Sequence, residues 1–116
     1  QEVAAYYYEH ISNPLIELPE RLDDAHNVYH LFPDIVKDGK RDALHDYLAQ
    51  KDIGTVIHYP IAPHKQECYA KEEWNIPQLS LPITEYLADA ELSLPISPCM
   101  SKEQIAYVVE CINSFK

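Results

Sequence analysis

A chain of 116 residues, 47% hydrophobic and 24% charged, is expected to form one soluble globular domain with a real core and no room for a second. Nineteen acidic against nine basic residues leave a formal charge of −10, which argues against nucleic acid and anionic membrane surfaces, because both need a basic stripe. No apolar run approaches the roughly 20 residues of a membrane span.

Three cysteines (Cys68, Cys99, Cys111) form an odd set with no Cys-x-x-Cys spacing and no signal-peptide pattern. Reduced thiols in a cytoplasmic protein are expected from this. Gln1 stands where a translation start would have Met and leads straight into a helical pattern, so the chain is expected to be a piece of a longer protein.

Residues 1–12 place Val3, Tyr7 and Ile11 on one helix face, and Asn13-Pro14 ends that helix. Residues 15–18 predict a short strand stopped by Pro19, and residues 20–26, with His26, a loop. Residues 27–36 are β-branched and aromatic enough for a second strand, with Pro33 calling for an edge position or a bulge. Asp38-Gly39 predicts a turn. An amphipathic helix follows over residues 40–51, with Ala43, Leu44, Tyr47 and Leu48 on one face. Asp52 stands where glycine would be the least strained helix C-cap. Residues 53–59 predict a third strand.

Residues 63–70 predict a short helix, and residues 71–78 a loop carrying Trp74. Pro82 suits the first turn of a helix over residues 83–92, and residues 93–96 make a brief extended piece. The last helix, residues 101–115, has Ser101 as N-cap and Gln104 three residues on, a capping-box pattern. Ile105, Val108, Val109 and Ile112 form its buried stripe. Interleaved strands and helices place the chain in the α/β class, of α+β type: a small, mostly antiparallel sheet packed with helices.

The stretch His58-Tyr59-Pro60-Ile61-Ala62-Pro63-His64 carries the densest chemistry. Proline fixes its own φ and restricts the residue before it, so two imidazoles and a phenol are held on stiff backbone at the exit of a β-rich run. That is a common setting for a ligand cleft. A metal reading of His58, His64, Glu67 and Cys68 matches no standard ligand spacing, so no metal is expected. A Cys68–His64 nucleophile pair lacks oxyanion-hole glycines, since the chain has only Gly39 and Gly54, and Cys68 and Cys111 read as small buried hydrophobes. His10, His26, His30 and His45 are accounted for by structure alone, with Tyr29 and His30 facing opposite ways.

Four segments in one order then carry a resemblance. Asn27-Val28-Tyr29-His30-Leu31-Phe32, Arg41-Asp42-Ala43-Leu44, Ile53-Gly54-Thr55 with His58 to His64, and Leu92-Ser93-Leu94-Pro95-Ile96 are together similar to the C-terminal domain of the DegT/DnrJ/EryC1/StrS aminotransferases. These are pyridoxal-phosphate enzymes that aminate nucleotide-linked keto-sugars. The resemblance implies that residues 1–116 are the small domain of a fold-type I transaminase, with the large cofactor-binding domain outside this chain. It implies a pyridoxal 5'-phosphate cofactor whose Schiff-base lysine lies in that large domain, so no catalytic residue is expected here. It also implies a homodimer, glutamate as amino donor, a role in deoxyamino-sugar or surface-polysaccharide biosynthesis, and His58, Tyr59 and His64 as substrate-binding residues walling the sugar-nucleotide cleft. Residues 92–96 are expected to be structural, and the chain alone inert. Three positions depart from the family pattern: Asp52 replaces a glycine, Ala62 a proline, and Asp34-Ile35 an apolar-arginine pair. The alternative is a non-catalytic ligand-binding or regulatory module derived from the same family.

Overall fold

A computed structural model describes residues 1–21, 27–69 and 79–116. Residues 22–26, with His26, and residues 70–78, with Trp74, lie outside the described residues. In order, the elements are helix α1 (Glu2–His10), strand β1 (Ile16–Glu17), strand β2 (Phe32–Val36), helix α2 (Arg41–Ala49), two 3-10 turns (Pro63–Lys65 and Glu67–Tyr69), helix α3 (Pro82–Ala90), strand β3 (Glu91–Leu94) and helix α4 (Lys102–Ser114).

The sheet runs β1-β2-β3, antiparallel throughout, as the composition predicts. Ile16 pairs with Val36, Asp34 with Leu92, and Phe32 with Leu94. Paired residues share a face, so these six side chains point into one core. Val3 and Tyr7 of α1, Leu44 and Leu48 of α2, and Ile105, Val108, Val109 and Ile112 of α4 close over it. The rings of Tyr7 and Phe32 meet edge to face at 5.2 Å. Tyr29 leans on this cluster from the loop before β2 while His30 is exposed, the opposition expected of the pair.

Local chemistry sets most of the ends. Asp38 and Gly39 both take positive φ (59° and 65°), the signature of a type I′ turn, closed by Lys40 N–H on Lys37 O at 3.1 Å. Asp52 has φ 58°, Ile53 N–H reaches Leu48 O at 2.9 Å and Asp52 N–H reaches Ala49 O at 3.0 Å. This is a Schellman ending with aspartate in the left-handed position. Ser101 and Gln104 form the reciprocal capping box that the spacing predicts, with Gln104 N–H on Ser101 Oγ at 3.2 Å and Ser101 N–H on Gln104 Oε1 at 2.9 Å.

Several expectations need correction. Residues 53–59 form no strand: only Val56 bridges Ser93, through two backbone bonds of 3.1 and 2.8 Å. The third strand is Glu91–Leu94, part of which reads as helix in the sequence. The strand expected over residues 27–36 is confined to Phe32–Val36, because Tyr29 turns to φ 49° and its N–H is taken by the Asn27 side chain at 2.9 Å. Pro33 lies in the central strand, where β1 covers only Ile35 and Val36, so the missing N–H faces a stretch without a ladder. Finally, Cys68 and Cys99 are exposed and Cys111 is buried, while Ala43 is exposed and Arg41 joins Leu44 and Leu48 as a buried residue of α2.

Among the described residues, no helix is long and apolar enough to cross a membrane. None of their His, Cys, Asp and Glu side chains form a group of three or more that could hold a metal ion.

Candidate functional site

The segment from His58 to His64 leaves the sheet beside β3 and is tied down at both ends. After the Val56–Ser93 bridge, the His58 N–H leaves the ladder and donates instead to Glu91 Oε2 at 2.6 Å. His58 Nδ1 lies 2.9 Å from Ser93 Oγ, and that hydroxyl donates to Glu91 Oε1 at 2.6 Å. Glu91 and Ser93 alternate along β3 and therefore share the face away from the core, where this segment covers them. The peptide bond between His58 and Tyr59 is cis. The Tyr59 ring stands at 90° to the His58 ring, 5.6 Å away, and is 70% exposed.

Pro63 then starts a 3-10 turn, with Lys65 N–H on Ala62 O at 2.8 Å and Ala62 buried beneath it. His64 Nε2 meets Glu85 Oε1 of α3 at 3.0 Å, and Lys65 Nζ meets Glu85 Oε2 at 2.7 Å. The Leu81 N–H, at the start of α3, also donates to Glu85, at 3.1 Å. Lys65 above all, then the Leu81 N–H and His64, pull the Glu85 carboxyl down to about 2.

The structure therefore brings the His58 and Tyr59 rings together and places His64 apart from them. The His64 side chain is 9% exposed, turned against α3, and its Nδ1 is buried without a partner among the described residues. Sequence reasoning missed Glu91, Ser93 and Glu85. The alternation Glu91-x-Ser93 was the available signal for the first two. Glu85 shows no signal, since its partners lie 20 and 21 residues upstream.

A second buried carboxyl lies on the other face. Asp34 is 1% exposed, and among the described residues neither of its oxygens has a hydrogen-bond partner. Burial, and then the charge of Glu91, push it well above the usual carboxylate range. Glu91, by contrast, is fully engaged, accepting from the His58 N–H and the Ser93 hydroxyl, each at 2.6 Å. Arg41, buried at the start of α2, donates to Ala88 O at 3.0 Å and joins α2 to the α3–β3 corner.

The described lysines do not suit covalent capture of an aldehyde cofactor, which needs an amine in an enclosed site. Lys37 faces Glu17 at 3.5 Å, Lys65 faces Glu85, Lys40 is half-buried, and Lys51, Lys102 and Lys116 are exposed.

Solved structures that share this antiparallel three-stranded sheet under helices are fold-type I aminotransferases. The chain belongs to the DegT/DnrJ/EryC1/StrS aminotransferase family, whose sequence profile matches residues 1–113. It is 50% identical over 115 residues to the dTDP-3-amino-3,6-dideoxy-alpha-D-galactopyranose transaminase of Aneurinibacillus thermoaerophilus, covering 99% of this chain and 30% of that protein. It resembles the DesV structure from S. venezuelae with a TM-score of 0.82 and 34% identity, covering 97% of this chain and 29% of that one. NtdA from Bacillus subtilis, solved with bound PMP, superposes with a TM-score of 0.81 at 28% identity, over 96% of this chain and 26% of its own. The chain thus spans about 30% of the length of the first curated relatives it matches.

Proposed function

We propose that this chain is the small, C-terminal domain of a cytoplasmic, homodimeric, pyridoxal-phosphate-dependent transaminase that aminates a nucleotide-linked keto-sugar, with glutamate as donor. The 50% identity to a dTDP-sugar transaminase favours a dTDP-linked 6-deoxy keto-hexose as substrate. The cofactor supplies the electron sink through which the amino group moves. In this reading it is held by the rest of the full-length protein.

The part assigned to this chain is to wall the sugar side of the cleft. The observation that carries this is the His58–Tyr59 pair: an exposed phenol at right angles to an imidazole whose other edge is held by Ser93 and Glu91. Two polar groups on fixed backbone, beside exposed Ile61 and Pro60, are suited to hydrogen-bonding sugar hydroxyls while covering the ring. His64 acts from behind the turn, through Glu85, to keep that segment in place.

The test is turnover of the full-length protein with a dTDP-linked keto-sugar and glutamate, wild type against His58→Ala, Tyr59→Phe and His64→Ala. A rise in KM of about tenfold for His58→Ala, roughly 1.4 kcal/mol of lost binding, is expected. Unchanged KM and kcat in all three variants would remove these residues from the site. Tight binding of the sugar nucleotide without turnover by the wild type would favour the regulatory reading instead.

A further inference from the structure

The short contacts behind His58 determine which of its nitrogens faces outward. Ser93 Oγ carries one proton and lies between two acceptor-capable groups, Glu91 Oε1 at 2.6 Å and His58 Nδ1 at 2.9 Å. An ionised carboxylate can only accept, so the Ser93 proton points to Glu91. The serine oxygen is then the acceptor toward His58, and Nδ1 must carry a hydrogen. In the neutral ring this leaves Nε2 bare. The opposite arrangement would require a protonated Glu91. Against it stands the geometry of the carboxyl, which already faces a second donor, the His58 backbone N–H on Glu91 Oε2 at 2.6 Å, and so is met by donors at both oxygens. Glu91 and Ser93 are 6% and 3% exposed, so water does not compete for these bonds.

We infer that Glu91 and Ser93 are positioning residues that hold His58 in its Nδ1–H tautomer, so that Nε2 is presented as an acceptor for a hydroxyl of the bound sugar. This rests on the proposed role of His58 at the sugar cleft and specifies it: the ligand group opposite His58 is a donor, an O–H, and not a phosphate or carbonyl oxygen.

Long-range 1H–15N spectra of imidazole-labelled, full-length protein test the arrangement directly, with the His58 signals identified by their loss in His58→Gln. The neutral ring of the wild type is expected to show a protonated Nδ1 and a bare Nε2. Ser93→Ala should shift the ring toward Nε2–H and raise KM for the keto-sugar nucleotide about tenfold, with a smaller effect on kcat. Ser93→Thr, which restores the hydroxyl, should recover the wild-type pattern. A wild-type His58 carrying its proton on Nε2 overturns the inference even if Ser93→Ala fails to fold, and leaves the cleft assignment intact if His58→Gln still raises KM. The expected tautomer with KM unchanged in both Ser93→Ala and His58→Gln overturns the assignment to a sugar hydroxyl, and the proposed cleft with it.

Discussion

His64 and Glu85, 21 residues apart in the chain, meet at 3.0 Å, and the same carboxylate gathers Lys65 and the Leu81 N–H. One acidic side chain thus fastens the turn after the proline-rich segment to the first turn of α3.

That clasp predicts an acid-labile contact. The Glu85 carboxyl is depressed from 4.5 to about 2, with Lys65 the largest cause, so the unfolded chain takes up a proton before the folded one does. Its contribution to stability is complete above 4.5 and disappears as the pH falls toward 2. Thermal unfolding across this window should decline less steeply in Glu85→Gln than in the wild type, and the variant should be the less stable at neutral pH. Parallel curves would show that the clasp contributes nothing.

Asp34 predicts the opposite sign. Its carboxyl is raised in the folded state, so stability from this group is complete below the ordinary value of 3.8 and is lost as pH rises through the folded value. Replacing it by valine, close to it in size and suited to a strand, removes from between Phe32 and Val36 two buried oxygens that have no partner among the described residues. Asp34→Val is expected to stabilise the fold by roughly 1–3 kcal/mol near neutrality. Its advantage should shrink as pH falls to 4 and below, read by denaturant midpoints at several pH values. A destabilised variant would mean that the carboxyl has a partner when the protein is complete.

Asp52 carries left-handed backbone at the end of α2, where an L side chain is strained and glycine is not. Asp52→Gly should raise stability by up to about 1 kcal/mol, measured as a small increase in Tm with activity unchanged. Asp52→Val should lower it, because a β-branched side chain tolerates this φ least.

The Tyr7 hydroxyl donates to Pro95 O at 2.6 Å and joins α1 to the chain just past β3. Its phenol is pushed up by burial, with Asp34 adding to the effect, so it remains a donor over the whole working range of pH. Tyr7→Phe should cost about 1–2 kcal/mol, because the half-buried Pro95 carbonyl loses its partner. Chemical denaturation should show an earlier midpoint with an unchanged slope.

The features legible in the sequence were those made by neighbours. Ser101 and Gln104, Asp38-Gly39, Pro82 and the apolar stripe of α4 act within a turn or two of themselves, so their residue types specify the structure directly. The position of Asp52 as a strained helix ending was readable for the same reason, and the His58–Tyr59 pair could be singled out from its prolines.

What only the tertiary structure decided was which β-rich run would take the third place in the sheet, and what each buried polar group would touch. Residues 53–59 have the better strand composition, yet His58 gives its N–H to a Glu91 carboxylate 33 residues away, and the place goes to Glu91–Leu94. Such outcomes depend on competition among donors and acceptors distant in sequence, and no local period records which of them prevails.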